Sequence, residues 1–340
     1  MLSRTADDLF WMARYVERAE NVARLLEVAS RMALMPQDAG GTDEWTAVLI
    51  AGGVEPLYRE THGDVDPDTT LEFMALNPDN PSSILNCFSV ARENARAQRH
   101  TITRELWEAI NDTWHGIQYM TADQVEAMGS IAFFEWVKSR SHLVRGALAG
   151  TMIRDDSYNF IRLGTFIERA DSTSRILDVK YHLILPQEEV VGGAPDYYQW
   201  GALLQSVSAQ GSYRRMFGDQ IRYSQVAELL VLRAEMPRSV RSCYEEIMEN
   251  LQDLTAVYDE QPRCIRMAGR LRARLVYGEI SEFTGQEGGL HGFLTEVIDT
   301  NLRIAAQIGK DFLLTPEAES MNEEAILMGA ESARQEQSMG

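Results

Sequence analysis

Three cysteines in 340 residues, Cys87, Cys243 and Cys264, are too few and too scattered for a disulfide framework or a Cys-x-x-Cys metal site. They read as small buried hydrophobes of a reducing compartment. Proline is absent between Pro81 and Pro186, so nothing there stops a helix from running long. Also missing are alternating runs of β-branched and aromatic residues, which removes the signal of a strand. No Gly-x-x-x-x-Gly-Lys-Ser/Thr loop, Gly-x-Gly-x-x-Gly turn or Gly-x-Ser-x-Gly elbow occurs, so no familiar nucleotide or nucleophile device is present. The glycine-rich FTGQEGGLHG at 283–292 follows no strand and reads as a turn. Paired Glu-x-x-His segments are wanting too, and Asp112 to His115 alone approaches that spacing, which argues against a di-iron bundle and leaves no metal expected.

Basic residues are the minority, 32 against 51 acidic ones, and a net charge of −19 argues against a partner that presents a phosphate backbone, so nucleic acid is not expected. Charges interrupt MLSRTADDLFWMARYVERAE every few residues. That opening lacks the apolar core of a leader, and no stretch elsewhere suits a membrane span, so the expected location is the cytoplasm.

What is abundant is the helical period. Apolar residues recur at i, i+3, i+4 and i+7 over about 82–98, 102–118, 121–149, 156–184, 197–216, 219–232, 237–257, 262–280 and 289–314. Residues 36–81 hold five prolines and two Gly-Gly pairs and read as an irregular excursion with one short helix near Glu44 to Ala51. Gln187 to Asp196 reads as a linker, and 316–340 as an acidic polar tail.

One segment is written twice. ARYVERAENVARLLEV at 13–28 returns without a gap as GTFIERADSTSRILDV at 164–179, aligning Glu17 with Glu168, Arg18 with Arg169, Glu20 with Asp171 and Arg24 with Arg175. A weaker echo sets 91–100 against 233–242, matching Glu93 with Glu235, Arg96 with Arg238 and Arg99 with Arg241. The expected architecture is therefore an all-α helical bundle of two pseudo-repeated halves, about 1–150 and 151–315, forming one domain without significant β-sheet.

In the first copy Phe10, Arg14, Glu17, Asn21, Arg24 and Val28 form a row with a polar middle between two apolar stripes. The second copy repeats it with Ile161, Thr165, Glu168, Ser172, Arg175 and Val179. A solvated stripe of Glu–Arg pairs would be worth only tenths of a kcal/mol each. Apolar flanks point inward instead, and buried charges must be paired. The row then serves either as an ionic network joining the halves or as a polar site for a ligand. The candidate ligand-binding set is Arg14, Glu17, Arg18, Glu20, Asn21, Arg24, Glu93, Asn94, Arg96, Arg99, Glu168, Arg169, Asp171, Arg175, Arg238 and Arg241. Arginine grips carboxylate or phosphate with two parallel hydrogen bonds, so such a cavity suits a small anion or a peptide terminus.

LFWMARYVERAE, NPSSILNCFSVARENAR, TRELWEAIN and SYNFIRLGTFIERADSTSRILDVKY together resemble the bacterial alpha-E family, an all-helical domain named for its Glu-Arg signature, over about residues 1 to 315. Position by position the signature falls on Glu17-Arg18 and Glu168-Arg169. The resemblance implies a circularly permuted ATP-grasp protein and a transglutaminase-like cysteine peptidase as partners. Three functions follow as expectations. The first is an accessory or substrate-binding component of an ATP-grasp-linked, amide- or peptide-bond-forming system, not itself ATP-binding and without a cofactor. The second is an enzyme with Glu17 or Glu168 as general acid or base. The third is a helical interaction scaffold, with a homo-oligomer left open.

Overall fold

The structure is a computed structural model that describes residues 3–33, 44–184, 194–256, 262–285 and 288–313. Among the described residues every regular element is a helix. The first eight are α1 (Ser3–Met32), α2 (Glu44–Gly52), α3 (Glu55–His62), α4 (Pro67–Ala75), α5 (Ile84–Ala97), α6 (Arg104–Ile117), α7 (Ala122–Met128) and α8 (Ser130–Thr151). The next eight are α9 (Asp156–Ile184), α10 (Ala194–Ser206), α11 (Gln210–Phe217), α12 (Tyr223–Val231), α13 (Val240–Thr255), α14 (Arg263–Tyr277), α15 (Ile280–Gly285) and α16 (Gly289–Phe312). The acidic tail 316–340 and most of the expected linker 187–196 lie outside the described residues.

Two long helices make the axis of the molecule. α1 holds neither glycine nor proline over its 30 residues and buries side chains on every face, from Leu9 and Phe10 to Ala23 and Leu26. It packs against α9, α5, α8, α10 and α2. α9 packs in turn against α13, α16 and α2. The two helices run parallel, since Phe10 lies beside Gly164 and Arg14 reaches Glu168. Gly164 permits that approach: a Cβ there would sit 2.2 Å from the Phe10 carbonyl oxygen.

Local signals set the boundaries. Ser83 caps α5 by accepting from the Asn86 amide, and Ser239 caps α13 by accepting from the Ser242 amide. Thr121 and Gln124 close a reciprocal capping box at α7. Four expectations need amending. Residues 44–81 carry three short helices instead of one, because Pro56 and Pro67 sit in the first turns of α3 and α4, where a missing N–H costs nothing. The stretch 121–149 divides into α7 and α8 at Gly129, whose φ of 87° only glycine adopts readily. The stretch 197–216 divides into α10 and α11 at a turn that holds Ser208 at φ 58°. The stretch 262–280 closes α14 at Tyr277 before a new helix starts at Ile280. Among the aromatics of α6 and α8, Phe133 and Phe134 are fully buried in the core, while Trp107, Trp114 and Trp136 pack half-buried against it.

Candidate functional site: a buried bundle of acids and arginines

Arg14, Glu17, Arg18, Glu20, Asn21 and Arg24 project from the middle three turns of α1, flanked by apolar residues that are themselves buried. The polar row therefore faces protein on every side, as the flanking stripes require. Across from it, α9 presents Glu168 and Arg169. Glu17 accepts two hydrogen bonds from Arg169, Nε to Oε1 at 2.8 Å and Nη2 to Oε2 at 2.9 Å. Glu168 accepts two from Arg18, Nε to Oε1 at 2.6 Å and Nη2 to Oε2 at 3.1 Å, and a third from Arg14 Nε at 2.9 Å. Each Glu-Arg dipeptide thus gives its acid to one arginine and its arginine to the other acid.

A second layer surrounds Glu20, whose side chain is 0% exposed. Arg24 donates to it through Nε at 3.0 Å and Nη2 at 2.7 Å, while its Nη1 donates to the Ser206 carbonyl and, at 3.2 Å, to the Ser208 hydroxyl. Arg238, just before the Ser239 cap of α13, donates to Glu20 and to Asn21 Oδ1, and lies 3.3 Å from Glu17. From α8, Arg145 Nη1 donates to both Glu17 and Glu20, and His142 Nε2 stands 3.8 Å from Glu20. One turn further along α1, Glu27 pairs with Arg31 and with Lys138 of α8, both at 2.7 Å.

Electrostatics follow from these pairings. Burial pushes the Glu17 carboxyl up, but Arg169, then Arg145 and Arg238, outweigh that and the repulsion of Glu20, leaving it below its ordinary range. Glu20 is held well below for the same reason, by Arg238, Arg145 and Arg24 against burial. Glu168 falls to about 2, where Arg18 and Arg14 overcome burial. Arg238 moves the other way: burial, with Arg24 and Arg169 nearby, brings its guanidinium down to about 10 despite Glu20 and Glu17. Burial pushes the Cys87 and Cys243 thiols up to about 12, one beside Arg18 and the other beside Arg169.

The set named from sequence is thereby divided. Arg14, Glu17, Arg18, Glu20, Asn21, Arg24, Glu168, Arg169 and Arg238 are gathered into one cluster. Asp171 and Arg175 pair with one another at 2.6 Å, and Arg175 turns to the Ala51 carbonyl at 3.2 Å. Glu93 and Arg96 stand on the solvent side of α5, with Asn94 half-buried near them, and Arg99 is exposed in the turn that follows. Glu93 pairs there with Arg92 and Arg96, and Arg99 lies over the Trp107 ring. Arg241 pairs with Glu245 on its own helix. The weaker echo is out of register: Arg96 sits in the exposed last turn of α5, whereas Arg238 is buried ahead of α13. Matching the caps Ser83 and Ser239 instead aligns Cys87 with Cys243, both fully buried.

Sequence reasoning missed Arg145, His142, Lys138, Ser206 and Ser208. A signal existed for the first three, since 138, 142 and 145 share one face of α8 at spacings of four and three. Beside the cluster, Glu17 and Arg145 are the charged members of a narrow cleft of about 20 Å³ walled by Met12, Val16, Leu106, Val144, Leu148 and Ile161. That is room for one water molecule. No group of three or more His, Cys, Asp or Glu side chains suited to a metal ion occurs among the described residues.

The family comparison speaks to the paired Glu-Arg dipeptides directly. A model described as a predicted alpha-helical domain with a conserved ER motif, named Alpha-E, matches residues 1–313. The chain belongs to the Alpha-E family. Glu17-Arg18 and Glu168-Arg169 are two such Glu-Arg pairs, and they bond each other. Curated relatives include uncharacterised proteins of Mycobacterium bovis and Mycobacterium tuberculosis, each 24% identical over 325 residues. The match covers 87% of this chain but 36% of the relatives, so this Alpha-E chain spans about a third of their length. No solved structure matches it. Among the described residues no helix is long and apolar enough to cross a membrane.

Proposed function

We propose that this Alpha-E chain is an accessory, substrate-binding component of an amide- or peptide-bond-forming system centred on an ATP-grasp protein, with a transglutaminase-like protein as a further partner. The observation that carries the component role is the length relation: in its mycobacterial relatives the matched region is a minor part of a larger protein. The identity of the partners rests on the Alpha-E resemblance. Three buried thiols free of disulfides fit a cytoplasmic setting. Glu17 and Glu168 are kept ionised by arginines, so neither is a general acid at neutral pH, and a carboxyl held below its ordinary range is also a weak general base, which favours binding over acid–base catalysis at this cluster.

The proposal includes two related halves. Several relationships support it: helix lengths follow the same order through α1 to α8 and α9 to α16, and the matching seryl caps precede matching cysteines. Ser141 of α8 donates to the Val16 carbonyl of α1, and Asn301 of α16 donates to the Ile167 carbonyl of α9. Val16 and Ile167 are paired by the same offset as Glu17 and Glu168. The Glu-Arg exchange then lies on the axis between the halves and locks them together.

Co-expression with the ATP-grasp and transglutaminase-like partners tests the role. A stable complex, or a change in the partner's rate of ADP formation on adding this chain, supports it. Absence of both overturns it.

A further inference from the structure

The two copies of the Glu-Arg helix do not sit in equal surroundings. Aligning α8 with α16 through Ser141 and Asn301 sets Arg145 against Ala305, His142 against Leu302 and Lys138 against Ile298. Aligning α5 with α13 through their caps sets Arg238 against Ser82. The cations added beside Glu17 and Glu20 therefore have no counterparts beside Glu168 and Asp171. A purely structural clasp between the halves needs only the shared pairs, so the additions call for another explanation.

Charge counting sharpens this. Glu17 and Glu20 are contacted by Arg24, Arg145, Arg169 and Arg238, two acids against four arginines. Two positive charges are left over within the layer, inside a chain whose net charge is −19. Uncompensated charge away from water is costly. Burial is the main cause that lowers the Arg238 guanidinium and the His142 imidazole, and the neighbouring arginines push both the same way against the pull of Glu20: Arg24 and Arg169 at Arg238, and Arg145, Arg24 and Arg238 at His142. The surplus is also reachable. Arg145 is 25% exposed and bonds Glu17 and Glu20 through Nη1, its Nε and Nη2 having no acceptor among the described residues, and His142 is 58% exposed beside it. Next to Arg238, the Asn21 side chain is buried and its Nδ2 has no acceptor among the described residues. The Ser208 hydroxyl stands exposed at the Arg24 end.

We infer that the layer around Arg145, Arg238 and His142 is a binding site for a doubly charged oxyanion of the phosphate class, held by the forked guanidinium of Arg145 at the surface and matched by the surplus charge beneath it. A dianion neutralises the two spare charges, and a tetrahedral group accepts from Nε and Nη2 of Arg145 together. The site deepens the substrate-binding reading and rests on it, yet it is a property of the isolated chain, so it stands or falls separately from any ATP-grasp partner.

Isothermal titration of the isolated chain at constant ionic strength tests it, with inorganic phosphate, a simple phosphate monoester, sulfate and acetate as probes. Saturable one-site binding of phosphate and sulfate, with acetate at least tenfold weaker, is the expected result. A monoester that binds more tightly than free phosphate assigns an esterified ligand; equal or weaker binding assigns the free ion. Arg145→Gln, on the rim of the cluster, should weaken phosphate at least tenfold with an unchanged circular dichroism spectrum, and Arg96→Gln should leave it unaltered. No saturable phosphate binding by the unmodified chain overturns the proposal, whatever the variants do. So does acetate binding equal to phosphate, or an Arg145→Gln protein that folds and binds phosphate undiminished.

Discussion

Glu17 of α1 takes two hydrogen bonds from Arg169 of α9, while the neighbouring Arg18 gives two to Glu168, the residue just before Arg169. Two dipeptides of the same composition are thus crossed acid to base inside the molecule. Since both acids ionise below their ordinary range in the folded chain, the unfolded chain binds more protons across that interval. Their stabilisation is complete above the ordinary value near 4.5 and is lost as pH falls toward about 2, the value at Glu168. Urea midpoints measured from pH 7 to pH 3 should hold nearly level down to about pH 5 and then drop. Glu168→Gln should lower the midpoint at pH 7 and flatten the acid drop; an unchanged slope would count against the pairing.

The crossing depends on close helices. Gly164→Ala places a methyl group 2.2 Å from the Phe10 carbonyl oxygen and 3.2 Å from the Ala13 Cβ, so α1 and α9 must separate. Overpacking of this kind costs about 1–3 kcal/mol. Gly146→Ala, at an exposed position of α8 with nothing within 4 Å of the new Cβ, should instead stabilise by up to about 1 kcal/mol. Thermal melts of the two variants should shift in opposite directions.

Cys87 and Cys243 are fully buried, and burial raises both thiols to about 12. Thiolate is the reactive form, so a disulfide reagent at pH 8 should modify neither in the native chain within the time that labels both in urea. Rapid native labelling of either would mean that the α1–α5 or α9–α13 packing opens readily.

The helical class and the polar row on α1 were legible because the 3.6-residue period sets Arg14, Glu17, Asn21 and Arg24 in line between apolar stripes. The repeated segment pointed to α9 as a counterpart. Arg145 and Arg238 were harder: one joins the cluster from a helix 125 residues away from Glu20 and the other from just before a helix cap. Periodicity within one helix does not say which face meets which. The same limit lies behind the out-of-register echo: arginine spacing pairs 91–100 with 233–242, whereas the caps Ser83 and Ser239 set each helix's phase. Prolines misled at 44–81 because in a first turn they begin a helix, as Pro67 does behind the Asp66 cap.

The most direct test is a double-mutant cycle on Glu17 and Arg169, with Glu17→Gln, Arg169→Met and the pair compared with the unmodified chain by urea denaturation. Glu17→Gln strands the buried Arg169 and should cost about 3–5 kcal/mol, whereas Arg169→Met leaves Glu17 with Arg145 and Arg238 and should cost less. The pair should cost less than the sum, with a coupling of about 2 kcal/mol or more. A coupling of about 0.5 kcal/mol or less, as for pairs in open solvent, would contradict a buried Glu-Arg crossing at the centre of the fold.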